Sequence, residues 1–152
     1  KCYQVTTDVL NECYNELEIH NVNLKGTVLK PNMIIPGSEC KDKSSSEEIA
    51  KKTLDCLKKN VPSDVPGIAF LSGGQSEIDS SKNLNEINKI NDSNFLITFS
   101  YGRGLQASAL KEFGKKQDNI ESIQKAFNHR AKMNGLSSKG EWSEDLEKES
   151  AA

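Results

Sequence analysis

The sequence predicts an α/β fold built around a parallel sheet. Apolar residues at helical spacing alternate along the chain with short apolar runs that suit strands, in the order α-β-α-β-α-β-α-α. Such alternation is typical of parallel strands joined by helical crossovers. The length of 152 residues is enough for about one domain. We therefore expect one α/β domain, followed by a polar tail.

Three segments have the composition of strands. Residues 27–29 read TVL and favour a strand, which Pro31 ends because proline cannot donate to a strand ladder. Residues 67–71 read GIAFL, an apolar run that suits a buried parallel strand. Residues 95–100 read FLITFS and form the third predicted strand.

Helices are predicted before, between and after these strands. Residues 7–19 carry apolar residues at helical spacing, and residues 44–60 do so after a capping box that runs from Ser45 to Glu48. A more polar helical segment covers residues 76–88. Two further helices are marked by apolar residues three or four positions apart: Leu105, Ala109 and Phe113, then Ile120, Ile123, Phe127 and Ala131.

The C-terminal end is predicted to be a tail. Gly135 is expected to end the last helix, because glycine is favoured just past a helix end. Residues 136–152 are charged and show no apolar period, which predicts a mobile segment. The chain therefore divides into a folded region, residues 1–135, and a tail, residues 136–152.

The spacing of the strands predicts part of a TIM (β/α)8 barrel. The predicted strand ends recur every 30 to 42 residues or so, and such a barrel uses about 31 residues per unit. Three parallel strands cannot close a barrel, and the remaining sequence contains no further strand of comparable quality. The chain also lacks an initiator methionine. We expect a partial barrel of three βα units that is part of something longer or a processed product.

Composition argues against several classes of protein. The net charge of −2, from 20 basic and 22 acidic residues, disfavours a free-standing nucleic-acid binder. No apolar run approaches the roughly 18 residues of a membrane span. The four cysteines include no C-x-x-C pair, so neither a zinc module nor a disulfide framework is predicted. Reduced thiols in a cytoplasmic protein are the expected state.

Lys30 follows the first strand directly, at the end where barrels and parallel sheets bind ligands. A lysine that faces a barrel interior is desolvated, which favours the neutral amine. A neutral amine can attack a ketone or aldehyde to form a Schiff base. The alternative is a lysine that extends from the strand end into solvent.

Glycine-containing turns follow the second and third strands. Ser72, Gly73 and Gly74 form the first turn, where the glycines let backbone N–H groups approach an anion. The second turn contains Ser100, Gly102 and Arg103, and the fork of an arginine suits a phosphate. Barrel enzymes often bind phosphate in the loops after strands 7 and 8, which would place Lys30 on strand 6. Ordinary strand-to-helix turns and a surface arginine remain the alternatives.

Several segments resemble one family. GTVLKPNM (26–33), FLSGGQSE (70–77) and FSYGRGLQAS (99–108) are similar to signature segments of class I fructose-1,6-bisphosphate aldolase, in the family's order and at nearly its spacing. The resemblance extends from about residue 1 to 140 and corresponds to the C-terminal part of the family's barrel. It implies that residues 1–135 are the C-terminal barrel part of a carbon–carbon lyase of glycolysis.

The resemblance also implies roles for individual residues. Lys30 would be the Schiff-base lysine in the reversible cleavage of fructose 1,6-bisphosphate to dihydroxyacetone phosphate and glyceraldehyde 3-phosphate. One substrate phosphate would be bound mainly by Ser72, Gly73, Gly74, Ser100, Gly102 and Arg103. The partner would be a phosphorylated ketose, with no nucleic acid, membrane, metal or other cofactor. The full-length parent would be a cytoplasmic homotetramer.

The sequence departs from the family in ways that leave other functions open. The N-terminal barrel strands are absent, and the resemblance implies that these strands carry the family's acidic proton-transfer residues. The tail also lacks a C-terminal tyrosine, and Ile35 stands where threonine is common. We therefore expect the chain to be inactive alone. The alternatives are a non-catalytic remnant that binds sugar phosphates or a protein, and a different Schiff-base lyase.

Overall fold

The computed structural model describes residues 1–148. Within this range the chain forms six α-helices, three strands and one 3₁₀ turn. No helix among the described residues is long and apolar enough to cross a membrane. In chain order the elements are α1 (Cys2–Ile19), a 3₁₀ turn (Leu24–Gly26), β1 (Val28–Leu29), α2 (Ser46–Asn60), β2 (Gly67–Phe70), α3 (Glu77–Lys89), β3 (Leu96–Phe99), α4 (Arg103–Lys115), α5 (Ile120–Ser137) and α6 (Glu144–Lys148).

The three strands form one parallel sheet in the order β1-β2-β3. Ile68 of β2 is paired with Leu29 of β1 and with Ile97 of β3. Each crossover contains a helix, α2 between β1 and β2 and α3 between β2 and β3. The predicted α/β fold is confirmed, and three parallel βα units are consistent with a partial barrel.

One face of the sheet is buried under α2 and α3. Successive strand residues point to opposite faces, so Ile68 and Phe70 lie on the same side and are both fully buried. They join one apolar core with Leu54 and Leu57 of α2 and Leu84 of α3. Full burial of such a side chain contributes about 1.5–3 kcal/mol. The core therefore lies between the sheet and its crossover helices.

The opposite face of the sheet is uncovered. Val28 on β1 and Leu96 on β3 share a register row through Gly67 and are 64% and 78% exposed. Within residues 1–148 both outer strands also have only one neighbouring strand. In a closed barrel this face would point inward, and its side chains would pack in layers with partners from other strands.

Helix α1 begins earlier than its apolar spacing predicts, at Cys2 and not at residue 7. It packs on α2, where the hydroxyl of Tyr3 donates to Asp55 Oδ2 at 2.6 Å. Leu10 is buried, but Val9, another of the apolar residues that predict this helix, is exposed. The contact with α2 covers only one side of α1, so part of its apolar surface faces solvent.

The C-terminal segment contains more packed structure than a tail predicted from residue 136. Gly135 does not end helix α5, which continues to Ser137 and closes at Ser138. Trp142 is only 5% exposed, and its backbone N–H donates to Asn85 Oδ1 of α3 at 3.0 Å. A single tryptophan gives no periodic signal, which is why the sequence pattern missed this contact. Mobility stays a prediction, and residues 149–152 lie outside the described residues.

A buried ion pair holds this segment in place. Both side chains of the Arg130–Glu147 pair are almost fully buried, and the guanidinium donates to both carboxylate oxygens. Trp142 Nε1 donates to Glu147 Oε2 at 2.9 Å, and His129 Nε2 lies 3.2 Å from Glu147 Oε1. Burial raises the pKa of Glu147, but the hydrogen bonds from Arg130 and Trp142 and the arginine charge outweigh it. The net result is a pKa below the ordinary 4.5.

The uncovered sheet face predicts self-association of the isolated chain. Leu96→Lys places a charge on the exposed face and should reduce association measured by sedimentation velocity, because charged residues block strand pairing. Ile97→Lys changes the next residue, which is 5% exposed and points into the core, and should increase association by unfolding the sheet. Equal effects of the two substitutions would contradict the assignment of the two faces.

Acid should release the C-terminal segment. A carboxylate with a lowered pKa stabilises the folded state above its unfolded pKa, and this stabilisation is lost as pH falls through the lowered value. Below about pH 4.5, we expect Trp142 to become solvent-exposed and its fluorescence to shift to the red. Glu147→Gln should produce this shift already at neutral pH, because it leaves the buried charge of Arg130 unpaired. Glu141→Gln changes an exposed acid of the same segment and should leave the emission unchanged.

Candidate functional site

The carboxyl ends of the three strands meet at one edge of the sheet. The strand ladder continues past the strands, because Leu71 N–H donates to the carbonyl of Pro31 at 3.0 Å. In the same way Ser100 N–H donates to the carbonyl of Phe70 at 2.8 Å. These two hydrogen bonds keep the three segments that follow the strands aligned side by side. All of the predicted site residues belong to these segments.

Lys30 lies at the carboxyl end of β1 and is exposed. It follows Leu29, whose neighbour Val28 lies on the uncovered face, so strand alternation places Lys30 on that face as well. Pro31, which follows it, is buried and anchors the chain. This is the face that would line the interior of a closed barrel, and within residues 1–148 Lys30 is exposed to solvent.

The turn after β2, residues 72–74, has the backbone that its glycines predict. Gly73 and Gly74 have φ values of 61° and 84°, a left-handed conformation that side chains with a Cβ rarely adopt. Ser72 is 6% exposed, and its carbonyl accepts from the backbone N–H of Gln75 at 3.1 Å. The glycines themselves are exposed, so their backbone is open to a ligand.

Two further residues, which the sequence analysis did not single out, support this turn. Gln75 Nε2 donates to the carbonyl of Ser72 at 2.9 Å, and its Oε1 accepts from Asn83 Nδ2 at 2.7 Å. Asn83 lies on α3 and is buried. Residues 83–88 read NLNEIN, and the asparagines at positions 83 and 85 of this segment are buried.

The turn after β3 leads into a helix whose start suits an anion. Helix α4 begins at Arg103, Gly102 provides no side-chain cap, and the first turn contains no acidic residue. Helix α3 differs, because the Ser76 hydroxyl accepts from the N–H of Asp79 at 3.0 Å. The N-terminus of a helix attracts anions. A cation such as Arg103 is unfavourable at this position unless an anion is bound there. Ser100, Gly102 and Arg103 are all exposed.

The two turns are in direct contact through Gly104. A Cβ placed on Gly104 would lie 3.0 Å from Ser72 Cβ and 3.2 Å from Ser80 Oγ, so these side chains would have to shift by a few tenths of an ångström to admit it. Tyr101 adds a second contact, since its hydroxyl donates to the carbonyl of Ser80 at 3.0 Å. Burial raises the pKa of Tyr101, which keeps it a hydrogen-bond donor. The geometry therefore brings the two turns into contact, and their role in binding phosphate stays a prediction.

No cluster of three or more acidic, histidine or cysteine side chains that could hold a metal ion occurs among residues 1–148. The four cysteines are all described and all free. The chemical groups assembled at the sheet edge are one amine, one guanidinium, hydroxyls and backbone N–H groups. This set can bind a phosphate and form a Schiff base with a carbonyl.

Comparison with known proteins identifies the family. The family model for class I fructose-bisphosphate aldolase matches residues 1–152. The chain belongs to the class I fructose-bisphosphate aldolase family. The predicted resemblance is thereby confirmed, and a Schiff-base lyase of a different family is disfavoured.

Individual aldolases match over most of this chain but less than half of their own length. Cytosolic fructose-bisphosphate aldolase 4 of Arabidopsis thaliana is 47% identical over 97% of the chain and 38% of its own sequence. Fructose-bisphosphate aldolase 2 of Caenorhabditis elegans is 48% identical over 93% of the chain and 39% of its own. The chain therefore spans roughly two fifths of these relatives.

A solved aldolase structure has the same fold. The Plasmodium falciparum fructose-bisphosphate aldolase, crystallised with TRAP and a small-molecule inhibitor, superposes with a TM-score of 0.90 at 39% identity. The match covers 93% of this chain and 41% of that one. The roles of Lys30 and of the residues in the two turns stay predictions.

The contact at Gly104 predicts opposite effects at two glycines of α4. Gly104→Ala should lower the free energy of unfolding by about 1–3 kcal/mol, because the new methyl group forces the helix away from the 72–74 turn. At Gly114 no atom lies within 4 Å of a built Cβ. Gly114→Ala should raise the free energy by about 0.5–1 kcal/mol through helix propensity. Urea denaturation measures both, and equal shifts would contradict the close approach at Gly104.

Proposed function

We propose that this chain provides the Schiff-base lysine and one phosphate site of a fructose-bisphosphate aldolase. The observation that carries the proposal is the convergence of Lys30, the 72–74 turn and Arg103 at one sheet edge, in a chain of the aldolase family. The substrate would be a phosphorylated ketose, cleaved reversibly from fructose 1,6-bisphosphate to dihydroxyacetone phosphate and glyceraldehyde 3-phosphate.

The proposed binding step relies on the two turns. Backbone N–H groups of Gly73 and Gly74 and the uncapped start of α4 would donate to phosphate oxygens, and the Arg103 fork would supply the opposite charge. The serine hydroxyls at positions 72 and 100 would complete the set. Binding the phosphate holds the ketone carbon next to Lys30, which replaces a bimolecular encounter by a positioned one.

The proposed covalent step takes place at Lys30. Its neutral amine attacks the ketone carbon, and loss of water yields an iminium. Cleavage of the carbon–carbon bond sends its electron pair into the iminium and leaves an enamine, while a base takes the hydroxyl proton of the departing aldehyde. Protonation of the enamine and hydrolysis release dihydroxyacetone phosphate and regenerate the amine. The iminium is the electron sink, so this route requires no metal or other cofactor.

The acid–base groups are expected outside this chain, as the family resemblance implies. Positioned proton transfer contributes about 10²–10⁴-fold to such reactions. We therefore propose that the chain alone has no useful turnover and acts within a complete barrel. For that complete protein we propose a cytoplasmic homotetramer, a location that fits the cytosolic Arabidopsis relative.

A second candidate is a non-catalytic module that binds sugar phosphates. It is favoured by a difference within the site. The two turns that would bind the phosphate are in contact at Gly104, whereas Lys30, which would need a desolvated surrounding to react, is exposed to solvent. Measured cleavage of fructose 1,6-bisphosphate in a complete barrel separates the two candidates, because only the aldolase proposal predicts it.

The assignment of Lys30 is tested in a complete barrel, made by replacing the matched portion of the Caenorhabditis elegans aldolase with this chain. Borohydride and dihydroxyacetone phosphate should trap one adduct, located on Lys30 by mass spectrometry. Lys30→Arg should abolish trapping, because a guanidinium stays protonated and is no nucleophile. Lys25→Arg, at an exposed lysine nearby in sequence, should trap normally. An adduct on Lys25 or on any other lysine would refute the assignment.

A further inference from the structure

We propose that Glu77 is a positioning residue for the phosphate site. Its carboxylate ties the first turn of α3 to the second turn of α4 and so fixes the orientation of Arg103 relative to the 72–74 turn. The proposal rests on the proposed function, because it assumes that this turn and Arg103 bind one phosphate. It adds a residue that does not touch the substrate.

The contact is a two-point clamp. Glu77 Oε1 accepts from the backbone N–H of Ser108 at 2.9 Å, and Oε2 accepts from the Ser108 hydroxyl. Hydrogen bonds to a carboxylate are roughly twice as strong as neutral ones. Glu77 is the third residue after Gly74, so the clamp begins close to the turn that it serves.

The charge of Glu77 favours the N-terminus of α3 but is unfavourable for an anion bound nearby. A carboxylate near a phosphate site repels the ligand. Helix α3 does not depend on it for capping, because Ser76 caps the helix and Asp79 supplies a second acid in the first turn. The interaction that distinguishes Glu77 is therefore the one it makes with α4.

The clamp is a direct polar attachment between α3 and α4 beyond the start of α4. Gly104 and Tyr101 attach the very start of α4 to Ser72 and Ser80. Further along, α4 packs against α5, where the Ser122 hydroxyl donates to Glu112 Oε2 at 3.0 Å, so α4 and α5 form one unit. Ser108 lies five residues after Arg103, about 7.5 Å along the axis. A second attachment there restrains the α4–α5 unit relative to α3 and, with it, the start of α4 from which Arg103 extends.

The test uses the same chimeric barrel and compares two carbonyl probes at Lys30. Borohydride trapping is titrated with dihydroxyacetone phosphate and with dihydroxyacetone, which lacks the phosphate. Glu77→Ala should raise the half-saturating concentration of dihydroxyacetone phosphate about tenfold and leave that of dihydroxyacetone unchanged. Glu77→Gln retains an acceptor for the Ser108 N–H and should restore most of the affinity.

Three further variants make each outcome decisive. Glu86→Ala removes an acid near the other end of α3, paired with Lys89 at 2.8 Å, and should change neither titration. Ser108→Ala removes one arm of the clamp and should cost about threefold with the phosphorylated probe only. It also provides the test if Glu77→Ala does not fold. Arg103→Gln serves as the reference for a lost phosphate contact.

The outcomes separate the two proposals. If Arg103→Gln weakens only the phosphorylated probe and the Glu77 and Ser108 variants do not, the phosphate site stands and the role of Glu77 is overturned. If the Glu77 variant weakens both probes equally, its role is general stability and the proposal is likewise overturned. If Arg103→Gln has no effect, the phosphate site itself is wrong and both proposals are lost.

Discussion

The parallel pairing of the three strands is the constraint on which the site depends. Parallel strands bring their carboxyl ends to the same edge, and the hydrogen bonds from Leu71 to Pro31 and from Ser100 to Phe70 extend this alignment beyond the strands. The segments that carry Lys30 and Arg103 thereby come to the same sheet edge as the 72–74 turn, although they are far apart in sequence. A shift of one residue in this register would turn every strand side chain to the other face.

Helix α3 connects the site to the rest of the structure. Asn83, midway along the helix, supports the 72–74 turn through Gln75, and the buried Ser81 carries polar contacts to α5. Ser81 donates to Asn134 Oδ1 of α5 at 2.7 Å and accepts from Arg130 at 3.1 Å. Most of these buried polar atoms are hydrogen-bonded, as is usual in protein interiors, while Arg130 Nε and Asn134 Nδ2 have no partner among the described residues. This network therefore specifies how α3, α5 and the C-terminal segment pack, in a way that an apolar interface would not.

The two faces of the sheet explain why the site is assembled but not enclosed. The face toward α2 and α3 is packed, whereas the face that bears Val28, Leu96 and Lys30 is open. The relatives in which this fold occurs are more than twice as long. A phosphate site made of backbone N–H groups and one arginine needs only the local turns. A neutral amine needs a desolvated surrounding, which many strands together provide.

The order of elements, the parallel sheet and the residues of both turns were predictable from sequence, because strand-forming runs, capping serines and glycines act locally. The family was predictable for the same reason, since its signature segments are contiguous. The contacts through Gly104 and Glu77 were not predictable, because each joins positions distant in sequence and neither leaves a periodic pattern. The burial of Trp142 on α3 was not predictable either, since it involves Asn85, which is distant in sequence, and the ion pair between Arg130 and Glu147. Local propensity determined the elements, and only their packing decided which polar residues became internal and which apolar residues stayed exposed.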